Sequence, residues 1–183
     1  ATIRVVGCIN STPMRFLASL LLAATASAAP VSFDKQTVTK DFVAEGCAVA
    51  DFDHDGHVDV AAGWYIWKGP DFKQRISYAV EPSHEKGPNK TPFNGATGYS
   101  DYFISYAYDF NADGWQDILV FGFPGDPALV YENPKGKAGP WNIHNIFDVA
   151  DGESPQLVDI NGDGKPELFC HTSDAVKDPK NNK

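Results

Sequence analysis

Sulfur is scarce in this chain: 183 residues carry three cysteines and one methionine. No two cysteines form a CxxC pair, so the usual redox and zinc signatures are missing. Basic charge is also in short supply, with 15 Lys and Arg against 24 Asp and Glu. That balance disfavours nucleic acid and anionic membrane surfaces, both of which select for cationic side chains. No apolar run reaches the roughly 20 residues that a bilayer-spanning helix needs. Beyond residues 14–28, no apolar run with a helical period is long enough to define a helix. There is no glycine-rich phosphate loop on a strand-to-helix turn, no G-x-S-x-G elbow and no histidine pair at i, i+4 spacing. Enzyme chemistry built on those motifs has no foothold in the sequence.

What remains is apolar, aromatic and rich in turns. Hydrophobic residues make up 43% and aromatics 13%, enough for a packed core, while 16 glycines and 13 prolines call for many reversals of the chain. Residues 14–28 open with Met14 and Arg15, continue through Phe16–Leu22 and close on Ala26, Ser27 and Ala28. A basic start, a short apolar middle and a small-x-small end predict a secretory signal peptide, and so a secreted, extracellular or periplasmic protein without a membrane span. Residues 1–13 precede the only methionine with no hydrophobic period and are read as a non-native upstream extension, outside the fold. With Ala29 as the mature start, Arg4 and Arg15 are lost with no acid, which moves the net charge from −9 to −11. Cys8 goes as well. Cys47 and Cys170 then remain in an oxidising compartment, and the sequence leaves their pairing open.

Self-similarity organises the rest. Three stretches place an acidic loop between apolar runs: Ala48–Gly63, Tyr106–Gly122 and Gln156–His171. Their first acids, Asp51, Asp109 and Asp159, lie 58 and 50 positions apart, the spacing of one four-stranded propeller blade per repeat. Upstream, Phe33 and Trp141 each stand 18 positions before a loop, and Glu45 and Glu153 each stand six before. The middle repeat breaks this register through residues 81–98, whose proline, glycine and charge predict a surface insertion. Short runs rich in Val, Ile, Phe and Tyr predict strands over 47–50, 58–62, 64–67, 103–108, 118–121, 128–131, 142–146 and 168–171. The mature chain, 29–183, is expected to be all-β: about three antiparallel blades of an incomplete propeller.

Each loop repeats one pattern of oxygen donors. The first offers Asp51, Asp53, Asp55 and Asp59 at positions 1, 3, 5 and 9, with Gly56 at position 6 and the His57 carbonyl at 7. The second offers Asp109, Asn111, Asp113 and Asp117 with the Trp115 carbonyl. The third offers Asp159, Asn161, Asp163 and Glu167 with the Lys165 carbonyl. Calcium takes six to eight hard oxygen ligands, and a tight loop with glycine at its sixth position can wrap carboxylates and a carbonyl around it. An EF-hand would need a glutamate at position 12 and flanking helices, whereas Ala62, Val120 and Cys170 stand there and the flanks read as strands. Hairpin turns alone explain the glycines but not, on this reading, acids at positions 1, 5 and 9. With four carboxylates against three in each of the others, the first loop is the expected tightest site.

These loops, together with 130–134 (VYENP) and 141–146 (WNIHNI) as third and fourth strands, resemble the FG-GAP or VCBS repeats of bacterial secreted proteins and the calcium-binding blades of integrin alpha subunits. The resemblance runs over roughly 32–171. It implies a propeller, usually of about seven blades, with calcium in outer loops, and it implies no single activity. Three loops supply about three blades where closure needs at least four, so the remaining blades are expected to lie outside this chain. The leading expectation is a secreted binding or adhesion module for a protein or carbohydrate ligand, with structural calcium. The alternative is the propeller portion of an exported carbohydrate-active enzyme, with Glu45 and Glu153 as its channel-facing acids. Trp64, Trp67 and Trp141 read as core; Trp115, after the loop glycine, reads as an exposed contact residue.

Overall fold

A computed structural model describes residues 33–80 and 100–172. The expected signal peptide, the extension before it, the 81–98 insertion and the C-terminal residues from 173 lie outside the described residues. The chain divides into two compact units, residues 1–35 and 36–183, and the fold below belongs to the second.

Every regular element among the described residues is a strand. In chain order they are β1 (Ala48–Ala50), β2 (Asp59–Ala62), β3 (Tyr65–Trp67), β4 (Arg75–Ser77), β5 (Ile104–Tyr108), β6 (Asp117–Phe121), β7 (Asp126–Glu132), β8 (Asn142–Ala150), β9 (Gln156–Val158) and β10 (Glu167–Phe169). They form two four-stranded antiparallel meanders, β1–β4 and β5–β8, followed by the β9–β10 pair. Each acidic loop joins the first strand of its sheet to the second. This is the blade architecture expected from the repeats, with two sheets complete and a third represented by its first hairpin. Among the described residues no helix is long and apolar enough to cross a membrane.

The sheets stack face to face, and β6 shows why. All five of its residues are buried, and after Asp117 the period-2 alternation of a half-exposed strand is replaced by the continuous apolar run Ile118–Phe121. Ile118 and Val120 point into a cluster with Ala48, Ala61, Ile66 and Tyr78 from the first blade. Leu119 and Phe121 point the other way, into a cluster joined by Leu168 and Cys170 from the third hairpin. The middle blade is therefore sandwiched, and its second strand faces both neighbours. Trp64, Trp67 and Trp141 are all buried, as expected of core tryptophans.

Aromatic rings fill the first interface. Tyr78 meets Tyr131 edge-on at 5.2 Å and Trp141 at 5.5 Å, and Tyr102 joins both tyrosines at 6.2 and 6.0 Å. Such pairs contribute about 0.5–1.5 kcal/mol each beyond the area they bury. The polar ends are satisfied: the Tyr78 hydroxyl donates to the Gly63 carbonyl at 2.7 Å, and the Tyr102 hydroxyl to the Val80 carbonyl at 2.8 Å. Burial pushes the Tyr78, Tyr102 and Tyr131 phenols above their ordinary range, so they stay neutral donors. Near the inner edge, the backbone N–H groups of Glu45 and Gly46 both donate to the Phe103 carbonyl, tying the approach to β1 against the approach to β5.

Four departures from the expected strands have local causes. The β4 and β9 strands were not expected: the three residues of β4 are exposed and carry no alternation to detect, and β9 is only three residues long and mostly exposed. β8 runs on to Ala150 where the sequence reading stopped at Ile146, and β7 begins at Asp126, passing Pro127 through a register shift between Asp126 and Ala128. A proline is tolerated there because a bulge does not need its missing N–H. The matched pair Phe33 and Trp141 also parts company: Trp141 is 7% exposed beside β8, whereas Phe33 is 90% exposed and precedes no strand until β1. An outer strand requires a third strand to pair with, and β7 supplies one only to β8. Cys47 and Cys170 are free thiols, the first exposed, the second packed in the later cluster.

Candidate metal centres

The same hydrogen-bond lattice closes all three loops. The carboxylate at position 1 uses both oxygens: Asp51 accepts from the N–H groups of Asp55 and Gly56 at 3.2 and 3.0 Å, Asp109 from Asp113 and Gly114 at 3.0 and 2.8 Å, and Asp159 from Asp163 and Gly164 at 3.2 and 2.8 Å. The oxygen at position 3, from Asp53, Asn111 or Asn161, accepts from the N–H of position 5. Position 5, Asp55, Asp113 or Asp163, accepts from position 7 at 2.8–2.9 Å. Position 9, Asp59, Asp117 or Glu167, reaches back to the N–H of position 2 at 2.8–3.2 Å.

Backbone geometry explains the glycines. Gly56, Gly114 and Gly164 have φ of +86°, +91° and +86°, which a side chain would strain. Position 4 is left-handed too, at His54 (+60°), Ala112 (+57°) and Gly162 (+80°). Two left-handed residues in alternation curl the loop so that successive N–H groups and acidic side chains turn inward. The N–H groups of His57, Trp115 and Lys165, the residues whose carbonyls were expected as ligands, each donate to the carboxylate at position 5.

This lattice corrects one step of the sequence argument. A turn does have a use for acids at positions 1, 5 and 9, since each accepts at least one backbone N–H, so spacing alone has a structural explanation. Charge does not. The asparagines at position 3 of the second and third loops accept the same bond as Asp53, which shows that a neutral oxygen suffices at that position. The Asp53 charge in the first nine-residue loop therefore exceeds what hydrogen bonding requires, and the four carboxylates there repel one another. In that loop the oxygens of Asp51, Asp53 and Asp59 converge to within 4.8 Å of one another.

Position 9 is special in the two complete blades. Asp59 and Asp117 are almost wholly buried. One oxygen of each caps its own loop; the other accepts an N–H from beyond the third strand, from Gly69 at 2.8 Å and from Asn133 at 2.8 Å respectively. Burial pushes both carboxyls above the ordinary aspartate range, with the neighbouring loop aspartates adding to the rise and the backbone N–H groups opposing it. Asp113 goes the other way, held down chiefly by the Trp115 N–H and also by Asn111 and Lys135. Glu167 in the third loop is only partly buried, and its oxygens take the Ile160 N–H and the Asn161 amide.

Several residues that matter to these loops were not expected. Lys68, one residue past β3, pairs with the Asp53 carboxylate, and Lys135, three past β7, pairs with Asp113 at 3.3 Å. Each precedes a glycine, but they stand 17 and 26 positions after their first loop acids, so repeat alignment does not register them. Asn133 is 2% exposed; its amide donates to Phe52 O in the first loop at 2.8 Å and to Gln116 O in the second at 3.0 Å. His54 crosses the same gap, with its ring 3.9 Å from and nearly parallel to Trp115, and Nε2 3.0 Å from the Gly114 carbonyl. Trp115 is thus half-covered by His54 rather than exposed as expected, and His54 turns toward the second loop rather than outward. Glu45 and Glu153 are exposed, in keeping with their position ahead of each loop.

A family model described as an FG-GAP-like repeat matches residues 109–170, from the first acid of the second loop to Cys170 in the third repeat. This supports the FG-GAP repeat family over the span that includes β6 to β10. No curated protein and no solved structure gives a match.

Proposed function

We propose that the chain is part of an exported, calcium-stabilised β-propeller that binds a protein or carbohydrate ligand. The convergence of Asp51, Asp53 and Asp59 in a loop whose closure does not need that much charge carries the reading. The donor set fits a hard divalent cation: all oxygen, multiply anionic, pre-curled by backbone bonds that use only part of each carboxylate's capacity. Asp51, Asp53, Asp55 and Asp59 with the His57 carbonyl would hold it in the first loop. Asp109, Asn111, Asp113 and Asp117 with the Trp115 carbonyl would do so in the second, and Asp159, Asn161, Asp163 and Glu167 with the Lys165 carbonyl in the third. Calcium when bound supplies neutralising charge, and through it order at the edge where blades meet. The residues of this chain do the rest: Asn133 and His54 couple neighbouring loops, so closure of one favours closure of the next.

Further blades are part of the proposal. Val49 on the outer face of β1 and Val158 and Phe169 on the far face of the third hairpin are 59%, 46% and 60% exposed, on faces where a propeller stacks its neighbours. Export through residues 14–28 suits a fold that relies on abundant calcium.

Binding is tested on immobilised glycans and matrix proteins, with calcium and with chelator, while new reducing ends are assayed in the same wells. The expected result is calcium-dependent retention without sugar release. Release of reducing ends would instead favour the enzyme alternative.

A further inference from the structure

Beside the first loop, a cavity of about 270 Å³ opens between β3 and β4 of the first blade and the 133–141 connection of the second. Its floor is apolar, built from Phe52, Ile66 and Trp141, and its size suits a single sugar ring. Four charged groups line it: Asp53, Asp59, Lys68 and Lys137. They are not equally available. Both Asp59 oxygens are held by backbone N–H groups, and Asp53 is paired with Lys68. Lys137 is exposed and, among the described residues, forms no ion pair.

We propose that this cavity binds a monosaccharide-sized sugar acid through Lys137 and Lys68, and that occupation of the first loop by a divalent cation makes Lys68 available. The second half rests on the calcium reading above. Lys68 is only 18% exposed and stands in a largely apolar cavity, with Asp53 as its counter-charge. When Asp53 turns its charge to a cation in the loop, the ammonium is left buried without a partner, which is costly unless another anion arrives. The cavity then presents two lysines and no uncommitted acid. A carboxylate restores the balance, the ring lies over the apolar floor, and the exposed Gln74 and Ser77 at its mouth suit hydroxyl groups. The same exchange makes Lys68 a built-in competitor for the first loop.

The test is a calorimetric titration of the whole chain with glucuronic acid, glucose and benzoate, each in calcium and in chelator, preceded by a calcium titration. Glucuronic acid is expected to bind in calcium and to weaken about tenfold or more in chelator, with glucose and benzoate at least about tenfold weaker than glucuronic acid in calcium, since charge-assisted bonds and ring contacts are both needed. Lys68→Met is expected to hold calcium at least as tightly as the parent while losing about tenfold in glucuronic acid affinity; a misfolded variant would lose both. Lys137→Ala, on the exposed rim, provides a second variant with the same direction of loss in sugar acid and unchanged calcium. Calcium binding without glucuronic acid binding would overturn this proposal alone, as would equal binding of benzoate or full retention by both lysine variants. Failure to bind calcium would instead strike the reading it rests on.

Discussion

Chelator-treated protein is expected to gain about 15 °C or more in melting temperature when calcium is supplied at a hundred times the dissociation constant of each loop. An ion that binds only the folded state stabilises it by about 2.7 kcal/mol at that excess, so three occupied loops amount to about 8 kcal/mol. For a domain of this size, 1 kcal/mol moves the midpoint by about 2–4 °C. The source of the gain is visible in the first loop. Four carboxylates, the buried and upward-shifted Asp59 among them, concentrate negative charge in the folded loop, and among the described residues Lys68 is the one ion-pair partner of these acids. Magnesium is expected to do less, because it demands a stricter octahedron than a nine-residue loop with fixed peptides can offer. An unchanged midpoint in differential scanning calorimetry would remove the structural role assigned to these loops.

Asn133→Ala is expected to destabilise the protein by about 2–4 kcal/mol in chemical denaturation. Its amide group bonds the Phe52 and Gln116 carbonyls, and its oxygen accepts from the Lys135 and Gly136 N–H groups at 3.0 and 3.4 Å. Truncation leaves all four without this partner; the bond to the Phe52 carbonyl is buried between two blades and that to Gln116 partly so, and a buried orphan costs about 1–3 kcal/mol, while the N–H groups of the exposed Lys135 and Gly136 lie where water can reach. Asn133→Asp is the informative companion: it keeps an oxygen for the two N–H groups but sets an acid against two carbonyls. It is expected to be at least as harmful as alanine. A loss below about 1 kcal/mol for both variants would mean that the loops are not coupled through this side chain.

The contrast between Asn133 and the loop acids shows what a sequence can disclose about such a fold. Asp51, Asp109 and Asp159 were legible because each makes local bonds four and five residues on, so the same chemistry recurs at the same offset in every repeat. The blades were legible for a related reason: β6 with its continuous Ile118–Phe121 run and β7 with its aromatic end sit at the centre of a meander, where burial imposes a pattern. β4 was not, since an outer strand with Arg75, Ile76 and Ser77 all exposed is under no such constraint. Asn133, Lys68 and Lys135 act across elements, on partners 81, 15 and 22 positions away, and no periodicity encodes a reach of that kind. Trp115 failed for the same reason: its cover is His54 of another blade. The match between Phe33 and Trp141 was real in sequence and yet had no counterpart in the sheet, because a strand is made by its pairing neighbour as much as by its own residues.

Equilibrium dialysis of the mature chain against millimolar calcium, with the bound metal counted per polypeptide, addresses the central claim most directly. Three ions per chain are expected, with Asp51→Ala, Asp109→Ala and Asp159→Ala each removing one and Asp51→Ala removing the tightest. A chain that retains no metal at that concentration would contradict the account and leave the acids as hydrogen-bond acceptors that close three hairpins.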